Sequence, residues 1–199
     1  CDRFLGGVRV SPRASSYDTI IDAAETVVLE AGASHMTLDA VAAKAGVSKG
    51  GLLHHFPNKV SLLVAMVKRQ IDMHQKILKK ILGEIPEGPS RELKGFILSI
   101  LYRERDRDNL GASLSAAVAH DPRLNEPVRK VVSETYARLA LGGIPFEKAA
   151  IIALAADGLW LQEMLSISPF TEEQRKKIVD ELLKLADEQV PDGKRGRKP

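Results

Sequence analysis

Residues 37–59 read TLDAVAAKAGVSKGGLLHHFPNK. Thr37 is a good helix cap, and Asp39 stands in the first turn, where the helix dipole favours an anion. A short helix over Leu38–Ala45, a turn at Gly46-Val47-Ser48 and a second short helix ending before Pro57 give helix-turn-helix spacing. Gly46 supplies the positive φ that such a turn needs. Val47 reads as an apolar plug between the two helices, and Ala42 and Ala43 are small enough for a close crossing. The second helix presents Ser48, Lys49, Gly50 and Gly51 at its N-terminal end. An end of that kind enters a major groove with backbone N–H groups toward phosphates. Gly50 and Gly51 each cost about 1 kcal/mol of helix propensity. That cost makes sense where a larger side chain would collide with DNA; the alternative is that they merely loosen a short turn.

The rest of the chain is helical on either side of this pair. Upstream, Ile20, Ile21, Ala24, Val27, Val28 and Ala31 fall at helical spacing, and Gly32 stops that helix. Downstream, Asn58 opens a long helix whose apolar period runs through Leu62, Met66, Ile71 and Leu78 to Leu82. The segment GEIPEGPS, residues 83–90, breaks it and marks a domain boundary. Further helices are expected over about 91–107, 110–120, 126–141, 146–166 and 171–189, the last opened by a Thr171/Gln174 capping box. No alternating Val/Ile/Thr run signals a strand. The expected fold is all-α. It has a mobile arm over 1–16 and an N-terminal three-helix helix-turn-helix DNA-binding domain over 17–82, which includes a long connecting helix. A C-terminal helical domain over 83–190 and a basic tail over 191–199 follow.

Composition agrees with a folded chain. Of 199 residues 44% are hydrophobic, which excludes a disordered composition, and no stretch reaches the length of a membrane helix. The lone Cys1 cannot close an internal disulfide, which points to a reducing, cytoplasmic setting. The net charge of +3 hides an uneven spread. Residues 1–80 carry 11 basic and 7 acidic side chains, residues 81–190 carry 14 and 18, and the last nine carry 4 and 1. A basic segment on an acidic body suggests a polyanion partner for the first part; the alternative is ordinary surface scatter. Arg9 and Arg13 in the arm and Lys194, Arg195, Arg197 and Lys198 in the tail read as solvated ends. Phosphate or minor-groove contact is the other option for the arm.

The run AVAAKAGVSKGGLLHHF, with the Thr37 cap before it and Asn58-Lys59 opening a long helix after it, resembles the DNA-binding domain of the TetR family of bacterial transcriptional regulators. The resemblance is close over Tyr17 to Ile71; beyond that it rests on helix count and order. It implies an all-α homodimer that binds a palindromic operator, with dimer helices and a small-molecule effector site in the C-terminal domain. The effector would release a repressor from its DNA. It places Thr37 at a phosphate and Ser48, Lys49 and Gly51 at base and phosphate contacts, with Gly50 beside them. Lys49 is the best-placed base reader, since Lys suits guanine O6 and N7. His55 and Lys59 stand at phosphate-contact positions. The family usually has a tyrosine where this chain has Leu53, so that contact is lost here or moves to His54. Alternatives remain: His55 braced on Phe56, Lys59 as a plain first-turn lysine, and a helical small-molecule binder with a weak DNA head.

Within the body, Tyr102, Tyr136 and Trp160 combine apolar area with one polar tip, and Asp157 falls in an otherwise apolar helix. They are the candidate ligand-binding residues, for a cationic or aromatic effector. The alternative pairs Asp157 with Arg103 or Arg105 and makes Trp160 core or interface. The apolar surface of 149–165 and the stripe Ile178, Leu182, Leu185, Ala186 are the candidate dimer seam, a four-helix bundle with a partner's copies. No catalytic motif is present, so no enzyme activity and no cofactor are expected. His54 and His55 point about 100° apart on a helix and make a poor metal chelate.

Overall fold

The computed structural model describes residues 15–101, 105–141 and 144–188. Among them there are helices and turns and no strand. The chain divides into two compact units, one ending at Leu62 and the other beginning at Leu63.

The first unit holds α1 (Ser16–Ala31), α2 (Leu38–Ala45), α3 (Lys49–His55) and the start of α4 (Lys59–Glu84). Each helix begins on a side-chain cap. Asp18 donates its N–H to Ser15 Oγ, Ala40 to Thr37 Oγ1 and Gly51 to Ser48 Oγ. Asn58 and Ser61 cap α4 reciprocally: the Ser61 N–H reaches Asn58 Oδ1 at 2.9 Å, and the Asn58 N–H reaches Ser61 Oγ at 3.3 Å. These bonds satisfy donors that a helix start otherwise leaves open. Gly46 ends α2 with φ +67°, and the next residue, Val47, returns its N–H to the Ala42 carbonyl at 3.1 Å. That left-handed step turns the chain from α2 into α3. The buried face of α1 (Ile20, Ile21, Ala24, Val27, Val28) forms this unit's core with Met36, Val41, Ala42, Leu52 and Phe56. Ala42 is buried, whereas Ala43 is exposed and does not line the crossing.

The second unit contains the rest of α4, then α5 (Arg91–Leu101), α6 (Arg105–His120), a 3-10 turn at Pro122–Leu124, α7 (Asn125–Leu141), α8 (Phe146–Met164) and α9 (Glu172–Asp187). Of the helix expected over 91–107, α5 is described to Leu101 and residues 102–104 lie outside the described residues; α6, expected from about 110, is already helical at Arg105. Leu93, Phe96 and Ile97 of α5 meet Ile152, Ala153, Ala156 and Leu159 of α8 and Val179, Leu182 and Ala186 of α9 in one core. α4 crosses α5 closely at Gly95, where a β-carbon would lie 2.5 Å from Leu82 Cδ2. The end of α4 is capped from α5: Arg91 donates to the carbonyls of Leu82 (2.7 Å) and Ile85 (3.2 Å). Thr171 and Gln174 form the expected capping box at α9.

Leu182 is only 7% exposed and Ala186 3%. Both lie in the chain's own core, with Ile178 and Leu185 at its edge, so the α9 stripe is used internally. The free apolar face is on α8: Ile151 (68% exposed), Leu154 (61%), Leu161 (45%) and, just past its end, Leu165 (49%). Their spacing of three, seven and four residues is that of one helix face. An amphipathic stripe shows that a face is covered, not by what, and here the chain covers that of α9 itself.

Candidate functional site

Two places carry chemistry, one in each unit. In the first, the caps of α2 and α3 hold the candidate DNA-contact residues in fixed positions. Thr37, Ser48, Lys49, Gly50, Gly51 and His54 are exposed; His55 and Lys59 are half-buried. Thr37 and Ser48 use their oxygens as cap acceptors, which leaves each hydroxyl hydrogen available to a phosphate. One first-turn N–H of α3 is already taken, that of Gly51 by Ser48 at 3.0 Å. The two glycines differ. A β-carbon at Gly50 would meet nothing within 4 Å, while one at Gly51 would come 3.3 Å from the capping Ser48 Oγ. Crowding inside the protein therefore bears on Gly51 and not on Gly50, whose missing side chain clears space outside the molecule.

Both lysines have partners that the local sequence did not signal. Lys49 Nζ lies 2.9 Å and 3.1 Å from the two carboxylate oxygens of Asp39 in the first turn of α2. Lys59 donates to the Ser34 carbonyl at 2.8 Å, tying the start of α4 to the α1–α2 loop. Partial burial holds the Lys59 ammonium pKa below its usual value. An exposed Leu53 (37%) stands where the family carries tyrosine. His55 lies against an aromatic group: its ring centroid is 6.2 Å from that of Tyr17 and 6.4 Å from that of Phe56, while Tyr17 and Phe56 are 4.9 Å apart. Tyr17, on α1, is thus a neighbour of the His55 position that reading residues 37–59 alone could not supply. The His54 and His55 rings are 5.4 Å apart and edge-on. Among the described residues no group of three or more His, Cys, Asp or Glu side chains could hold a metal.

The second place is a cavity of about 290 Å³ in the second unit. Its wall is mostly apolar, from Val67, Ile71 and Ile77 of α4 through Phe96 and Leu114 to Val128 and Val132 of α7. Tyr136, Asp157 and Trp160, expected from sequence as ligand-binding, all stand in this wall. The Tyr136 hydroxyl donates to Asp157 Oδ2 at 3.3 Å. Burial, and then the adjacent Asp157 carboxylate, push the Tyr136 pKa up, so that phenol stays protonated as a donor. Tyr102 and Arg103 lie outside the described residues, as do the arm arginines and the basic tail. Sequence reasoning missed Gln70 and His74 of α4, Ser115 of α6 and Thr135 of α7, which add polar groups to the wall. Gln70 and His74 had a readable signal, because they fall four residues apart on the same α4 stripe as Val67, Ile71 and Ile77. No helix among the described residues is long and apolar enough to cross a membrane.

Comparison with known proteins covers both places. Residues 20–66 match the family model described as bacterial regulatory proteins of the TetR family, and residues 90–187 match a tetracyclin repressor-like C-terminal domain. Over 59 residues the chain is 37% identical to the Transposon Tn10 TetC protein of Escherichia coli, which is 30% of either chain. It is 29% identical to the HTH-type transcriptional regulator BetI of Proteus mirabilis, covering 82% of this chain and 88% of the relative. Among solved structures, the multidrug binding protein EbrR in complex with imidazole is 25% identical with a TM-score of 0.65, covering 92% of this chain and 100% of that one. A helix-turn-helix head built on capped α2 and α3, a helical body matched on its own, and relatives named as transcriptional regulators agree: the chain belongs to the TetR family of bacterial transcriptional regulators.

Proposed function

We infer that the chain is a homodimeric repressor that binds a palindromic operator in the cytoplasm and leaves it when an organic effector fills the body cavity. Lys49 reads guanine acceptors in the major groove, and Gly50 lets the backbone approach. Thr37, Ser48, His54, His55, Lys59 and the Gly51 backbone stand for phosphates. The dimer forms on the α8 face of Ile151, Leu154, Leu161 and Leu165, with the charged outer side of α9 as its rim. Two linked heads bind half-sites about one DNA turn apart, roughly 34–36 Å. No catalytic role is assigned to any residue.

The observation that carries the effector is the cavity itself. It is apolar with a few convergent polar groups, the usual make-up of a small-molecule site, and its volume is about 290 Å³. The Asp157–Tyr136 pair and Trp160 suit a ligand with an aromatic or cationic part. EbrR, described as a multidrug binding protein, supports a ligand of this general kind. Six residues of the wall, Val67, Gln70, Ile71, Met73, His74 and Ile77, belong to α4, the helix that begins in the head.

The test is a thermal-shift screen for binders, followed by titration of the protein–operator complex with each hit. An effector should release the DNA, and a tenfold loss of operator affinity needs about 1.4 kcal/mol of preference for the released state. Binders that fill the cavity yet leave operator affinity unchanged, across diverse chemistries, would overturn the effector. If no sequence-dependent DNA shift is found at moderate salt, the second reading gains: a helical ligand binder with a weak head, favoured by Leu53 in place of tyrosine.

A further inference from the structure

The Lys49–Asp39 pair brings an acid onto the reading surface. Asp39 belongs to α2 and Lys49 to α3, ten positions on, and both carboxylate oxygens lie within 3.1 Å of the ammonium. Both side chains are well exposed, 60% for Lys49 and 68% for Asp39. Neither is needed for the core, and a pair this exposed adds little to stability. Its effect lies in what the ammonium can do next. A free lysine is a compact point charge on a flexible stem, and it satisfies itself on any phosphate it can reach. An ammonium has three N–H donors. One is directed at Asp39 Oδ2 at 3.1 Å, with Oδ1 2.9 Å from the ammonium, so the pair fixes the head group and still leaves it donors for another acceptor.

We propose that Asp39 is a specificity-determining residue of this regulator: by holding Lys49 it withholds that charge from phosphates and presents a remaining N–H to a base edge. The proposal rests on DNA binding through α3. A guanine offers O6 and N7 acceptors to a free N–H without requiring that the ion pair open. A phosphate must approach with the Asp39 carboxylate about one ion-pair distance behind the ammonium, and the two anions repel. Affinity for DNA of any sequence is mainly phosphate neutralisation, so Asp39 lowers it, while contact to the correct base is kept. The acid thus widens the ratio between operator and bulk DNA at the cost of absolute affinity.

The experiment uses the full chain and two probes: a random-sequence duplex, and a duplex enriched by the wild-type protein from a randomised pool. Asp39→Asn keeps the shape of the first turn and removes the charge. It should raise random-duplex affinity about two- to fivefold per head, and steepen the slope of log K against log salt by about 0.9 per head, one added phosphate contact. Operator affinity should rise less, so the operator-to-random ratio falls. Asp39→Glu should restore the wild-type slope and ratio. In a Lys49→Met background the same Asp39→Asn change should leave the salt slope unchanged. An equal change of slope in that background would show bulk charge rather than the pair, and would overturn the proposal. So would an unaltered slope and ratio in Asp39→Asn protein that melts like wild type. Failure of the wild-type chain to enrich any duplex would refute DNA reading itself, and the role of Asp39 with it; normal enrichment with an indifferent Asp39→Asn refutes only the latter.

Discussion

Replacing Leu154 by glutamate tests the dimer at an exposed apolar point of α8 that the chain itself does not use. In the single chain Leu154 is 61% exposed, on the same α8 face as Ile151 and Leu161. Fully burying a leucine side chain contributes about 1.5–3 kcal/mol. The part still exposed is therefore about 1–2 kcal/mol per protomer, or about 2–4 kcal/mol across a two-fold interface, before counting two buried carboxylates that would face each other. That loss alone weakens dimerisation roughly thirty- to several-hundred-fold. Sedimentation velocity across the micromolar range reads it directly, and the same protein should lose tight operator binding, because linking two half-sites is worth about 10²–10⁴ in avidity. Circular dichroism should stay that of a folded helical protein. Leu182→Glu is the contrast. That side chain is 7% exposed in the core of α5, α8 and α9, so its charge should unfold the body rather than separate subunits. If Leu154→Glu sediments as a dimer with the concentration dependence of wild type, the α8 face is not the seam.

Four further outcomes are expected. Lys49→Ala should cost operator affinity about 1–3 kcal/mol and relax preference at one base pair per half-site, read by binding to single-substituted operators. Lys59→Ala should weaken all sequences alike, and should also lower the melting temperature, since it removes the bond to the Ser34 carbonyl. Gly95→Val places side-chain carbon into Leu82, 2.5 Å from Cδ2, and should destabilise the body by about 1–3 kcal/mol in urea unfolding. The carboxyl of Asp187 is held below its usual pKa by hydrogen bonds from Lys94 and then Ser90. Its folded value lies below its unfolded one, so its stabilisation is present above about pH 4 and is lost as pH falls through the folded value. Asp187→Asn should accordingly be less stable than wild type at neutral pH, with the difference closing under acid.

The head was legible because its determinants are local. Thr37 to Ala40, Ser48 to Gly51 and Asn58 to Ser61 are three-residue bonds, and Gly46 fixes its turn through its own φ. What the sequence hid is what depends on helices meeting. Asp39 reaches Lys49 only because α2 and α3 cross, and Ser34 meets Lys59 across twenty-five positions. The body shows the same division. Tyr136, Asp157 and Trp160 stood out as polar tips in apolar helices and do share one wall, whereas Ser115 and Thr135 are too ordinary to single out. The choice between α8 and α9 for the free apolar face was unreadable for a related reason. Periodicity gives each helix a face, but only packing assigns the Leu182 side to the chain's own core and leaves Leu154 outside.

A cavity matters to a DNA-binding head only if filling it changes the energy of a second arrangement, and α4 is where that requirement becomes geometric. The helix supplies the last residues of the head, then the wall from Val67 to Ile77, then the crossing at Gly95. At that crossing its end is held twice, by Leu82 against Gly95 and by Arg91 on its terminal carbonyls. If a ligand pressing on the middle of α4 tilted the helix about that held end, the start of the helix would be displaced. From Leu82 back to Lys59 the helix spans about 35 Å at 1.5 Å per residue, so a tilt of about 5° carries its start about 3 Å. Two heads displaced in opposite senses would then miss half-sites whose separation is set by one DNA turn. The ligand need prefer the tilted state by only about 1.4 kcal/mol for each tenfold of release. Because coupling is reciprocal, operator DNA must weaken binding of a true effector by that same factor, whereas a molecule bound equally well with and without DNA cannot be one.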